Sequence, residues 1–102
     1  MYLHIVMMAF KSAPSAALLH TLHQNFAKVQ QDCPGIAAFR LVENQSKTSA
    51  QYTHALYSVF SDLPALDAYR HSPAHDAMMV DLKPFVNHIV VLDSPLDAGL
   101  PI

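Results

Sequence analysis

The chain has 102 residues and a mass of 11.3 kDa, the size of one domain spanning residues 1-102, and its six Lys or Arg against eight Asp or Glu give a formal charge of −2. No basic cluster tracks a phosphate backbone, which argues against nucleic acid as a partner, and no apolar run has the length of a membrane span or the grammar of a signal peptide. Hydrophobic residues make up 52% and charged ones 14%, against roughly 25% charged residues in an average globular domain, so some apolar surface is expected to be shared with a second copy.

The lone Cys33 cannot form an internal disulfide, and a cytoplasmic, reducing location is expected, with Cys33 as a buried or half-buried helix-end residue. Tyr2 to Phe10 is apolar at nearly every position, the pattern of a short strand buried on both faces. Lys11 to Pro14 ends it, and Ser12 or Ala13 is expected to cap a helix with Pro14 in its first turn. Leu18, Leu22, Phe26 and Val29 then form one stripe at helical spacing, with Leu19 beside it. Cys33-Pro34-Gly35 stops that helix, because proline cannot continue the hydrogen-bond ladder.

Ile36 to Glu43 returns to period two, with Ala37, Phe39 and Leu41 on one face and Ile36, Ala38, Arg40 and Val42 on the other. A polar loop follows over Asn44 to Gln51, and Tyr52 to Ser61 reads as a third strand. A cap at Ser61 or Asp62 and Pro64 predict a short helix from about Leu63 through Arg70. Ser72 then caps a second segment led by Pro73, which runs toward Lys83 with Met78, Met79 and Leu82 on its apolar side. His88 to Asp93 makes a last strand, and Ser94 to Ile102 is expected to be an irregular tail.

The order β-α-β-β-α-β predicts an α+β fold of the ferredoxin-like kind, a four-stranded antiparallel sheet with its helices on one side. All four strands carry apolar side chains on both faces, so the uncovered face needs a lid. Face-to-face pairing of two sheets in a homodimer would enclose a dimeric α/β barrel.

Seven histidines are the unusual local feature, since histidine changes charge near neutral pH. His71 and His75 have a spacing that ligates zinc on one continuous helix, but Pro73 interrupts it and no Glu or Cys completes a set, so no metal is expected. A histidine at position 75 sits in the first turn after the Ser72 cap, where the helix dipole opposes protonation and keeps the ring neutral, as a general base must be. Tyr69 closes the preceding helix and its phenol can approach the same pocket. His4 and His54 fall on strand faces that are otherwise apolar.

Taken together, His4-Ile5-Val6, Cys33-Pro34-Gly35-Ile36, Tyr52-Thr53-His54-Ala55 and Tyr69 through Pro73-Ala74-His75 resemble the stress-responsive dimeric α/β-barrel family over nearly the whole chain. A plant polyketide cyclase of that family uses a tyrosine and a histidine that correspond by motif to Tyr69 and His75. The resemblance also implies that His4 and His54 point between sheet and helices, toward a pocket lined by Leu22, Phe26, Leu56, Met78, Ile89 and Val91. Ser72 departs from relatives that place a histidine directly before the proline.

These readings imply a protein without a cofactor that acts as a cyclase, lyase or isomerase on a small, partly apolar carbonyl compound. His75 would be the base, Tyr69 the hydrogen-bond donor to the carbonyl, and His4 and His54 the residues that orient a small apolar or aromatic ligand. The rival reading is a non-catalytic stress or ligand-sequestering protein. A cofactor-free monooxygenase ranks third, because the chain has no tryptophan and no recognisable oxygenase pattern.

Overall fold

The computed structural model describes residues 1–97 and Gly99. Its strands are β1 (Tyr2–Phe10), β2 (Ile36–Glu43), β3 (His54–Phe60) and β4 (Val86–Pro95), and its helices are α1 (Ala16–Asp32), α2 (Leu63–Arg70) and α3 (Pro73–Leu82). The strands form one antiparallel sheet in the order β2-β3-β1-β4, the ferredoxin-like arrangement expected from the sequence.

Register decides which side chains share a face, because neighbours directly across a ladder point the same way. Met8 lies beside His54 and Ile89, Val6 beside Leu56 and Val91, and His4 beside Ser58 and Asp93; this is the helix-covered face. The opposite face carries Leu3, Ile5 and Met7, flanked by Tyr57 on β3 and by Val90 and Leu92 on β4. The expected stripe Leu18, Leu22, Phe26 and Val29 is the buried side of α1. It packs with Met8, Phe60, Leu66, Tyr69 and Met78 into one core.

Four local expectations are corrected. Ser15, one residue past Pro14, caps α1 by accepting from the Leu18 N–H at 3.0 Å, so Pro14 lies outside the helix and neither Ser12 nor Ala13 is the cap. A bulge between Ile36 and Ala38 breaks the strict alternation, pairs Ile36 with Phe60 and turns it to the core face. The third strand is shorter than Tyr52 to Ser61 and starts at His54. The fourth is longer, because Ser94 and Pro95 still pair with Leu3 and Tyr2; proline is tolerated there because β4 is an edge strand. Of the expected tail, Ala98 and residues 100–102 lie outside the described residues.

Gly35 is where the turn into β2 demands glycine. Its φ is +84°, and a Cβ there would stand 2.7 Å from Ser61 Oγ and 2.8 Å from the Ala65 Cβ.

Candidate active site

The break between α2 and α3 builds the most distinctive site. Ser72 Oγ accepts from the His75 N–H at 3.1 Å and donates to the Tyr69 carbonyl at 2.7 Å, so one hydroxyl ties the end of α2 to the start of α3. Proline at the first helical position presets the turn, and His75 becomes the third residue of α3. The result brings the Tyr69 and His75 rings edge to face with centroids 4.9 Å apart. Tyr69 is 1% exposed.

Burial lowers the His75 pKa below its ordinary 6.5, with smaller contributions from His4 and Arg70; Asp76 opposes them. The ring is therefore neutral at physiological pH. Its Nδ1 is buried without a hydrogen-bond partner, the nearest carboxylate oxygen being that of Asp76 at 3.7 Å. A buried, unpaired nitrogen is costly, and it is the kind of feature that a bound ligand satisfies. Burial also pushes the Tyr69 phenol above its usual range, helped by Cys33 and opposed by Arg70, so it stays a neutral O–H donor.

His4 is the third member. It is 5% exposed, its ring centroid lies 6.1 Å from that of Tyr69, and its Nδ1 is hydrogen-bonded to Asp93 Oδ1. The second Asp93 oxygen accepts from Arg70 Nη2. The carboxylate thus holds a proton on His4 Nδ1 and fixes the ring's orientation, while Arg70 shares the negative charge. Asp93 and Arg70 escape a reading of the sequence alone. Asp93 is visible there as the single acid in an apolar run, but only the β1–β4 register sets it beside His4.

The remaining expected pocket residues do not gather around this cluster. Leu22, Phe26 and His54 line a separate cavity of about 640 Å³ between α1 and the edge strand β2, together with Leu19, Phe39 and Leu41. His23, Gln30 and Glu43 give it a polar rim. His54 Nδ1 is 2.9 Å from Thr53 Oγ1, and its ring packs edge-on against Phe10 at 4.9 Å. Leu56 and Met78 belong to the core. Ile89 and Val91 are 42% and 49% exposed, in the same β4 column as Asp93. Phe39 stands between this cavity and Tyr69, the two ring centroids being 5.7 Å apart.

His71 does not join His75; its ring N–H donates to the Asp67 carbonyl at 2.8 Å. Among the described residues no three His, Cys, Asp or Glu side chains cluster in a way that could hold a metal ion, and no helix is long and apolar enough to cross a membrane.

A four-stranded antiparallel sheet with helices on one face and an apolar face left bare defines a ferredoxin-like α+β subunit. The chain belongs to the stress responsive A/B barrel domain family, whose model matches residues 3–96. No curated protein matches it. Among solved structures it is similar to a dimeric ferredoxin-like protein of unknown function from Jannaschia sp. CCS1 (TM-score 0.80, 23% identity, 93% of this chain and 98% of that one). It is also similar to the hydroxynitrile lyase of Passiflora edulis (0.78, 20%, 98% and 96%). A dabb family protein of Mesorhizobium loti with a ferredoxin-like fold matches at 0.73 and 23% identity over 93% and 96% of the two chains. At these identities the likeness is one of fold.

Proposed function

We propose that the chain works as a homodimer and catalyses a cofactor-independent lyase, cyclase or isomerase reaction on a small, partly apolar carbonyl compound. The observation that carries this reading is the unpartnered, buried Nδ1 of a neutral His75 beside the neutral Tyr69 phenol. A neutral imidazole accepts a proton from the carbon next to a carbonyl, and a neutral phenol donates a hydrogen bond to the oxygen on which charge develops. Both halves of the proton transfer are present in the chain itself. His4, held by Asp93, supplies a ring nitrogen to orient the ligand.

That a similarly folded protein is a hydroxynitrile lyase supports the class of reaction, and the motif resemblance to olivetolic acid cyclase supports the roles of Tyr69 and His75. The dimer is supported by the bare sheet face, where Val90 and Leu92 are 44% and 52% exposed, and by the dimeric state of a similar structure. His75→Ala should abolish turnover, a loss of about 10²–10⁴-fold for a general base, while circular dichroism and ultracentrifugation report an unchanged folded dimer. Turnover that survives in H75A removes the mechanism.

The 640 Å³ cavity favours a second reading, that the protein binds a small apolar compound without transforming it. A thermal-shift screen of aromatic acids and polyketide-like compounds, followed by product analysis, separates the two, since stabilisation without product indicates sequestration.

A further inference from the structure

Phe39 stands at the junction between the cavity and the tyrosine–histidine pair. It lines the cavity, it is 8% exposed, and its ring centroid lies 5.7 Å from that of Tyr69, which does not line the cavity. One aromatic ring therefore separates an apolar space of about 640 Å³ from the hydroxyphenyl group. On its other flank Phe39 packs edge to face on Phe26, itself a cavity residue.

We infer that Phe39 is a specificity-determining partition: it confines the carbonyl compound handled by Tyr69 and His75 to one with a short apolar substituent, and it keeps the α1–β2 cavity as separate apolar space. This deepens the proposed reaction and rests on it. Volume sets the limit. An apolar substituent gains binding free energy only while each added methylene is removed from water, and the Phe39 ring ends that removal in the direction of the cavity. Shortening the ring opens the cavity toward the Tyr69 hydroxyphenyl group. From then on each methylene that reaches the cavity should raise affinity about fourfold, the equivalent of burying one CH₂.

His75 and His54 report on the two sides of Phe39 independently, because His75 abuts Tyr69 and His54 lines the cavity. The experiment uses para-alkylacetophenones, from methyl to hexyl, on the intact protein and on Phe39→Ala. Binding is read from the ring resonances of both histidines, assigned with His75→Gln and His54→Gln. In the parent protein the short members should shift His75 alone, with affinity levelling off as the chain grows. In F39A the hexyl compound should shift His75 and His54 together, at least tenfold more tightly than in the parent.

The same chain-length profile in both proteins, or equal weakening of every member by F39A, overturns the partition and leaves the proposed reaction standing. If no acetophenone shifts His75 in either protein, the proposed reaction fails and the partition with it. Should F39A not fold, Phe39→Val removes less of the ring and must show a partial gain of the same pattern; its absence is equally decisive.

Discussion

The two faces of the sheet are made from similar residues and meet different surroundings. On the helix side, Met8, Phe60 and His4 are each at most 5% exposed, and the two buried polar residues of the strands are partnered: His4 holds Asp93, and the Ser58 hydroxyl donates to the His4 carbonyl at 2.8 Å. On the other side Leu92 is 52% exposed and Val42 39%. Arg40 on that face lies over the Tyr57 ring, 5.7 Å from its centroid. The difference is one of closure. Under its helices the first face is closed within one subunit, only Ile89 and Val91 on the edge strand β4 staying open, and it holds the polar cluster, whereas the opposite face has no cover of its own, which is what an interface with a second copy requires.

The contrast breaks most severely if a core ring is removed. Phe60 is fully buried and packs on both His4 and Tyr69, so Phe60→Ala should cost about 3–5 kcal/mol of stability. Denaturant melts at two protein concentrations check it. Because the loss lies inside one subunit, the decrement should be the same at both, and a concentration-dependent decrement would mean that the helix face is not self-contained.

Next comes the bare face. Leu92→Glu places a carboxylate at a surface that a homodimer would cover twice, so about 3 kcal/mol of association should be lost, more than 100-fold in Kd. Ultracentrifugation should show folded monomers at micromolar concentration. An unchanged dimer would assign the interface to another surface.

Much of this contrast is legible in the order of the residues, and the parts that are not share a cause. A nearly unbroken apolar run reveals that both faces of β1 are apolar, and the 3.6-residue stripe of α1 names its buried residues, because those signals are local. Ser72 and Pro73 announce the start of α3, and with it the place of His75, for the same reason. What stays hidden depends on register between distant segments. The partnership of His4 with Asp93 and Arg70 needs the β1–β4 ladder, and the separation of the α1–β2 cavity from Tyr69 needs Phe39 to pack between them. The bulge at Ile36 likewise shifts a face that alternation alone assigns the other way.

A smaller effect sharpens the comparison at the helix break. Ser72→Ala removes the cap of α3, the bond to the Tyr69 carbonyl and the contact from Cys33 Sγ at 3.5 Å. Loss of an N-cap alone costs about 1 kcal/mol, and with the other contacts gone the decrement should approach about 2 kcal/mol. Ser72→Thr should restore most of it, since threonine caps nearly as well. If S72A is as stable as the parent, the hydroxyl does not hold Tyr69 and His75 together.

The smallest effect is set by protonation and tests whether the helix face keeps His75 neutral. Its pKa in the fold is below the ordinary 6.5, so the unfolded chain takes up a proton more readily than the folded one. Above about 6.5 both states are neutral and the group contributes nothing to the pH dependence. As pH falls below that value the unfolded state gains, stability declines, and the decline levels off once the folded ring is also protonated. His75→Gln abolishes this contribution and leaves the other six histidines in place. Urea melts from about pH 8 to about pH 5 should therefore show a shallower loss of stability in H75Q than in the parent. The effect is small because the side chain is 24% exposed and Asp76 favours the charged ring. A steeper loss in H75Q would mean that the fold raises the His75 pKa, and the ring would then be an imidazolium near neutrality, unable to accept the proton that the proposed reaction assigns to it.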